Sequence, residues 1–219
     1  MSDWLWIAGM IAVESVLQAQ SRDVQVIYGA FDRFDSRVSR LRRLARERGV
    51  PIEEKDEAAL AALVGSDSHG GVVAQVGPRR MLPLDALTVG DAPVVVMLDG
   101  VEDPFNFGQA VRSLYAAGID GLVVRPRNWL SVGTAVRASA GATEFMPTAE
   151  VESPEAAAEA LRAHDFRVAI ADEGGQPMGE SDLRVRIPYG RPFAHALGTT
   201  GAATALAFEI MRQRGRDEG

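Results

Sequence analysis

The sequence predicts an α/β protein built around a mostly parallel sheet. Three observations lead there. Short apolar runs of strand character alternate with segments of helical periodicity along the chain. The unbroken run Val94-Val95-Val96-Met97-Leu98 is followed by a polar turn and then a helix, the order that places ligand sites at the carboxyl ends of parallel strands. A cluster of breakers, Gly77-Pro78, Pro83 and Gly90-Asp91-Ala92-Pro93, divides the 219 residues into a smaller first part and a larger second part.

In the first part, Met10 to Gln18 reads as a helix and Val24 to Tyr28 as a strand. An arginine-rich helix follows, in which Val38, Leu41, Leu44 and Ala45 recur at helical spacing as an apolar seam. It stops at Gly49, with Pro51 just beyond. Asp56 caps a short Ala/Leu-rich helix that runs to Val64, and Gly71 to Val76 is a strand. These elements make residues 1–80 a small α/β domain, joined by a linker over 81–92 to a second domain over 93–219. In that second domain the Val94 strand is followed by a helix from Asn106 to Ala117, stopped by Gly118, and by a strand over Gly121 to Val124. Thr134 to Ser139 is a short helix and Glu144 to Met146 a short extended piece. Ser153 caps a helix over Pro154 to Ala163, Arg167 to Ala171 is a strand, Arg184 to Ile187 is extended, and Ala202 to Arg212 is the last helix.

Composition narrows the function. Hydrophobic residues at 47% and charged residues at 24% are enough for an ordinary packed core. The absence of Cys excludes disulfides, zinc–thiolate sites and cysteine nucleophiles. His69, His164 and His195 are too scattered to suggest a metal site. No apolar run reaches the roughly 20 residues that span a bilayer, and Met1-Ser2-Asp3-Trp4 lacks the basic start of a signal peptide, so a cytoplasmic protein is expected. A net charge of −7 argues against broad nonspecific binding of nucleic acid. The positive charge is nevertheless concentrated. Arg33, Arg37, Arg40, Arg42, Arg43, Arg46 and Arg48 lie together, opposed only by Asp35 and Glu47. This is either a phosphate-contacting face, using Arg37, Arg40 and Arg43, or a solvated face in a chain that prefers Arg and has Lys55 as its one Lys.

The most informative stretch combines Asp103-Pro104, Asn106 and Gly108 with Arg112, six residues after the Asn. Further on come Val136-Arg137-Ala138-Ser139-Ala140-Gly141-Ala142, then Ile187-Pro188, and a last helix containing Ala207-Phe208-Glu209. These segments resemble the SpoU/TrmH branch of the SPOUT methyltransferases, and the first part, with Ser68-His69-Gly70-Gly71-Val72-Val73-Ala74, is similar to the small RNA-binding domain that precedes the catalytic domain there. The resemblance implies transfer of a methyl group from S-adenosylmethionine to a ribose 2′-hydroxyl of ribosomal or transfer RNA. It also implies a C-terminal trefoil knot and a homodimer.

By position Arg112 is the family's catalytic arginine. An arginine is too weak a base to take a proton at neutral pH, so its role is electrostatic and positional. Asn106 orients Arg112 or the ribose, caps the helix, or does both. The resemblance implies that Ile187, Leu197, Gly198 and Thr199 line the cofactor site. Glu144 approaches the RNA ribose or a partner subunit, or is a surface carboxylate. Ser139 and Gly141 are packing and turn residues, and Trp4, Trp6 and Trp129 anchor the core or an interface.

The sequence departs from the family near the methyl donor. The strand and glycine-rich loop expected upstream of Ile187-Pro188 are missing around Asp172-Glu173-Gly174-Gly175. Ala196 and Gly198 replace a Ser and an Asn. Two functions therefore stay open, an RNA 2′-O-methyltransferase and a noncatalytic RNA-binding relative. A third, weaker option is a shortened site that takes another small ligand.

Overall fold

The computed structural model describes residues 4–31, 35–126, 133–171, 181–191, 195 and 197–217. Arg33, Trp129, Ala196 and the departure at 172–177 lie outside the described residues, as does part of the segment where the knot is expected. Contacts divide the chain into two compact units that do not follow chain order. One takes in residues 1–80, 103–112 and 127–145, and the other residues 81–102, 113–126 and 146–219.

The first unit holds a four-stranded sheet ordered β1 (Leu5–Ala8), β4 (Val72–Val76), β2 (Val24–Gly29), β3 (Ile52–Glu54). β4 runs antiparallel to both β1 and β2, while β2 and β3 are parallel. The sheet of this small α/β domain is thus mixed. The cause is β1, which the sequence reading left unassigned, together with the insertion of β4 between β1 and β2. One face is covered by α1 (Met10–Ala19) and α2 (Ser36–Glu47), and the other carries α3 (Glu57–Val64). The apolar seam of α2 is buried as expected, at Val38, Leu41, Leu44 and Ala45, of which Leu41, Leu44 and Ala45 pack with Ile7, Val13, Leu17, Ile27 and Val76. Asp56 accepts a hydrogen bond from the Ala59 amide, capping α3. Trp6 lies on the α3 side, half-buried, with its ring 6.0 Å from that of Tyr28, whereas Trp4 is 36% exposed.

The second unit contains a parallel three-stranded sheet, β5 (Val95–Met97), β6 (Gly121–Val124) and β7 (Thr148–Glu150), in that order. Its core joins Leu87, Val123, Ala149 and Ala157, the last from α7 (Pro154–Arg162), which Ser153 caps. A separate parallel pair, β8 (Ala169–Ala171) and β9 (Leu183–Val185), precedes the terminal helix α8 (Thr199–Asp217). β5 leads into α4 (Pro104–Ala116), which ends before Gly118 at φ +75. This is the strand–turn–helix read from the Val94 run. Among the described residues no helix is long and apolar enough to cross a membrane, and no cluster of His, Cys, Asp or Glu could hold a metal ion.

Two short helices, α5 (Gly133–Ala138) and α6 (Ala142–Phe145), pack against α1 in the first unit. Ala140 and Gly141 turn between them with φ +51 and +86. A Cβ on Gly141 would stand 1.9 Å from the Ser15 hydroxyl of α1, so this glycine serves both the turn and the close approach. Ser139 is buried and donates to the Val136 carbonyl at 3.0 Å, which confirms its packing role. The extended piece expected over Glu144 to Met146 is instead the helical turn of α6, because the Glu144 amide closes back on the Gly141 carbonyl at 2.9 Å, and the strand starts only after Pro147.

Glu144 is a second correction. It is not at the surface facing RNA or a partner. Its side chain and that of Arg22 are both fully buried and form a two-pronged ion pair, Nε to Oε2 at 3.0 Å and Nη2 to Oε1 at 3.1 Å. The Ser21 hydroxyl also donates to Oε2, and Arg22 reaches the Gly77 carbonyl at 3.4 Å. Every acceptor position that matters on this carboxylate faces a donor, which is the condition under which a buried charge is tolerated. Arg79 lies close by. Burial lowers its pKa most, the Glu144 charge raises it and the Arg22 charge lowers it again.

Gly108 shows why the motif needs a glycine in mid-helix. A Cβ there would come within 2.6 Å of the Ala135 carbonyl oxygen, 2.7 Å of the Ala138 Cβ and 3.0 Å of the Ser139 amide. Two outcomes are expected in urea unfolding. Gly108→Ala should cost about 1–3 kcal/mol, since α4 and α5 must separate. Glu144→Gln should cost about 3–5 kcal/mol by leaving Arg22 buried without its counter-charge, against less than about 1 kcal/mol for Glu54→Gln, whose partner Arg42 is exposed.

Candidate active site

The motif helix α4 begins with a cap that its own sequence supplies. Asp103 accepts the Asn106 amide through Oδ1 at 2.7 Å, and its carbonyl accepts the Phe107 amide at 3.0 Å. Pro104 follows as the first helical residue, where a missing N–H costs nothing. Asp103 is therefore the cap in place of Asn106, which sits in the first turn with an exposed side chain. Phe107, Gly108, Ala110, Val111 and Leu114 are buried. Asn106, Gln109 and Arg112 are exposed along the opposite side, Asn106 and Arg112 about 9 Å apart along the axis by the helical rise. The first unit thus presents an amide and a guanidinium from one rigid helix.

The same unit carries the arginine helix. Arg37, Arg40 and Arg43 are all exposed, as a phosphate-contacting face requires. Each also meets a carboxylate: Arg37 with Asp35 at 3.2 Å, Arg40 with Glu14 at 3.7 Å and Arg43 with Glu47 at 3.6 Å. The backbone amide and then the side chain of Arg37, both bonding to Asp35, hold that carboxylate below its ordinary pKa. The more exposed of these pairs, Arg37–Asp35 and Arg43–Glu47, hold weakly and release readily to a stronger anion.

The expected cofactor residues lie in the second unit. Ile187 is half-buried and Leu197 is 42% exposed. The Leu197 amide donates to the Tyr189 hydroxyl at 2.9 Å, tying the Ile187-Pro188-Tyr189 segment to the residues that open α8. The Gly198 carbonyl accepts the Ala202 amide at 3.0 Å, and among the described residues nothing lies within 4 Å of a Cβ on Gly198. Thr199 is the exposed first residue of α8, which starts three residues before the expected Ala202. Thr204 holds this end of α8 to α4, its hydroxyl donating to the Thr200 carbonyl at 2.7 Å and lying 2.8 Å from the Ser113 hydroxyl. The far end is anchored by Arg214, which reaches Asp120 at 2.8 Å, the Ala92 carbonyl at 2.7 Å and the Gly118 carbonyl at 3.2 Å. Sequence reasoning missed Tyr189 and Thr204. Tyr189 had a signal, standing directly after Ile187-Pro188, while Thr204 had none beyond its place among small residues.

The arrangement within each unit fits what the chain is similar to. Residues 93–203 match the model of the SpoU rRNA methylase family, and residues 6–82 match the model described as RNA 2′-O ribose methyltransferase substrate binding. The 23S rRNA (guanosine-2′-O-)-methyltransferase RlmB of Pseudomonas aeruginosa is 30% identical over 191 residues, covering 84% of this chain and 77% of that protein. The protein of the same name from Ralstonia nicotianae is 30% identical over 209 residues, covering 92% and 80%. In fold, the chain is similar to the AdoMet-bound rRNA methyltransferase from Sinorhizobium meliloti, at TM-score 0.79 and 20% identity over 96% of this chain and 88% of that one. It is equally similar to the SpoU methyltransferase AviRb from Streptomyces viridochromogenes, at TM-score 0.79 and 22% identity over 98% and 91%. With its motif helix, its parallel sheet and both family models matched in sequence order, the chain belongs to the SpoU rRNA methylase family.

Proposed function

We propose that the protein transfers a methyl group from S-adenosylmethionine to a ribose 2′-hydroxyl of ribosomal RNA. The observation that carries this reading is the build of α4. Asp103 and Pro104 start the helix and Gly108 seats it, while Asn106 and Arg112 are left on its exposed side for the acceptor. The names of the relatives, which methylate guanosine 2′-oxygens of 23S rRNA, support the substrate class. Residues 1–80 act as the RNA-binding module, 81–92 as the joint and 93–219 as the methyltransferase module, a division supported by the two family-model spans. The working form is a homodimer in the cytoplasm, where ribosomal RNA is found.

Ile187 and Leu197 offer apolar carbon, and Gly198 adds no side chain, which suits contact with an adenosine. Thr199 adds a hydroxyl at the start of α8. When bound, S-adenosylmethionine supplies an electrophilic sulfonium methyl group. Arg112 does the acceptor-side work. Its fixed charge stabilises the negative charge that grows on the 2′-oxygen and holds the adjoining phosphate. Asn106, on the same rigid helix, orients the ribose, so that the acceptor oxygen is held in line before reaction. Arg37, Arg40 and Arg43 contact the RNA backbone at a distance from the chemistry.

A noncatalytic RNA-binding relative is the second reading, favoured by the side chains lost at Ala196 and Gly198. Each cofactor group left unpaired costs about 1–3 kcal/mol. Calorimetry separates the two: heat of binding with S-adenosylmethionine is expected, and a folded protein that shows none at high micromolar cofactor overturns the enzyme reading. Arg112→Ala should lower methyl transfer to rRNA by about 10²-fold or more while cofactor affinity stays within about twofold. Wild-type activity in that variant would remove Arg112 from the mechanism. Arg40→Glu with Arg43→Glu should weaken rRNA binding and flatten its salt dependence by about one unit of log–log slope per lost contact, measured by filter binding at several salt concentrations.

A further inference from the structure

A groove of about 460 Å³ runs between α2 and the sheet edge, lined by Arg42, Ala45, Arg46, Val50, Ile52 and Glu54. Its position is unusual for a solvated helix face. Among the described residues β3 is the edge strand of its sheet, pairing with β2 alone, and its Ile52 and Glu54 line the groove. The floor is apolar, with Val50 and Ile52 only half-buried beside the buried Ala45. The rim is formed by two exposed guanidiniums on successive turns of α2, Arg42 and Arg46.

The rim residues differ in state. Arg42 lies 5.6 Å over the centre of the Phe31 ring and meets Glu54 at 3.2 Å, which holds its plane in place. Among the described residues Arg37, Arg40, Arg42 and Arg43 each face a carboxylate, and Arg46 does not. Arg46 is thus the cation of this helix least compensated by the protein itself. The groove therefore combines an apolar floor, a planar cation already stacked on an aromatic ring, an uncompensated cation, a carboxylate acceptor and an open strand edge.

We propose that the groove between α2 and β3 seats one unstacked nucleotide of the RNA, its base on the Val50–Ile52 floor against the Arg42 guanidinium and its phosphate at Arg46. Single-stranded RNA is read in this way, by splayed bases that stack on rings or guanidinium planes while their edges meet polar groups. Glu54 accepts from a base edge that carries N–H donors, as guanine does at N1 and N2, and the free edge of β3 offers further partners. An acidic peptide would use the two arginines but would gain nothing from the planar stack or from Glu54, so the composition of the groove favours a nucleotide. The inference rests on the RNA-methylation reading and adds to it where, and through which contacts, an unpaired residue of the substrate is held.

The test uses charge-conserving substitution, which separates a stacking groove from a merely basic surface. Binding of a fluorescein-labelled single-stranded RNA of mixed sequence is measured by anisotropy for the full chain, alongside methyl transfer to rRNA by the same preparations. Arg42→Lys keeps the charge and removes the plane, and is expected to weaken binding by roughly fivefold or more, with the salt slope unchanged. Arg46→Gln is expected to weaken binding and reduce that slope by about one. Glu54→Gln is expected to shift preference among G-rich and A-rich oligonucleotides with little change in melting temperature. Wild-type affinity in Arg42→Lys, in a protein that melts normally, overturns the proposal, and so does competition by polyglutamate as effective as that of RNA. If wild-type protein methylates rRNA while Arg42→Lys and Arg46→Gln leave its KM for RNA unchanged, the groove alone is refuted. If wild-type protein binds RNA through the groove but transfers no methyl group, the methylation reading alone is refuted.

Discussion

Most of the first unit's organisation depends on one buried ion pair. Arg22 follows α1 and Glu144 belongs to α6, 122 residues further along the chain, yet the two lock together with both side chains out of water. Such a pair is expensive to desolvate and survives only when its hydrogen-bonding capacity is filled. Here the fork-to-fork geometry, the Ser21 hydroxyl and the Gly77 carbonyl fill it. Its consequence reaches α4. Holding α6 holds the tight turn at Ala140-Gly141, that turn positions α5, and α5 provides the surface onto which Gly108 lowers the motif helix. The helix that presents Asn106 and Arg112 is thus seated on elements that are themselves fastened to α1 and β2.

The motif sorts into residues that build the helix and residues that the helix leaves exposed. Asp103 caps, Pro104 starts the helix, and Gly108 permits contact at a distance no side chain allows. Asn106 and Arg112 are exposed as well, and their types are not demanded by helix formation or packing. This separation gives the acceptor-side assignment its physical weight. A residue left at the surface of a rigid element, among neighbours fixed for structural reasons, is in the right place to contact a ligand. In the second unit α8 is secured differently, by Thr204 at one end and Arg214 at the other, and Tyr189 ties in the segment before it.

Charge is distributed in the same functional way. The chain carries a net −7, so any attraction to phosphate would have to come from a local surface. On α2 the arginines are largely balanced by nearby carboxylates, which keeps the helix compatible with an acidic protein and leaves individual cations available when a phosphate competes. Arg42 and Arg46, beside Val50 and Ile52, are where this surface gains features other than charge.

Much of this was already legible in the residues. Helical and strand periodicity located α1, β2, α2, α3, β6 and α7 closely, because each follows a local rule of spacing, capping or breaking. The family resemblance rested on fixed side-chain types at fixed spacing and needed no coordinates. What could not be read were facts that arise only when distant segments meet. β1 and β3 are four and three residues long, too short for a period to declare itself, and exist because β4 and β2 pair with them. Glu144 looked like a surface carboxylate because nothing adjacent in sequence reveals that Arg22 will lie 3.0 Å away. Asn106 looked like a cap until Asp103 took that role. The sequence by itself determined the longer elements, the motif and the family, since these depend on neighbours along the chain. Only the tertiary structure decided which charged groups are buried, which helix faces are occupied and which arginines remain available, since those depend on neighbours in space.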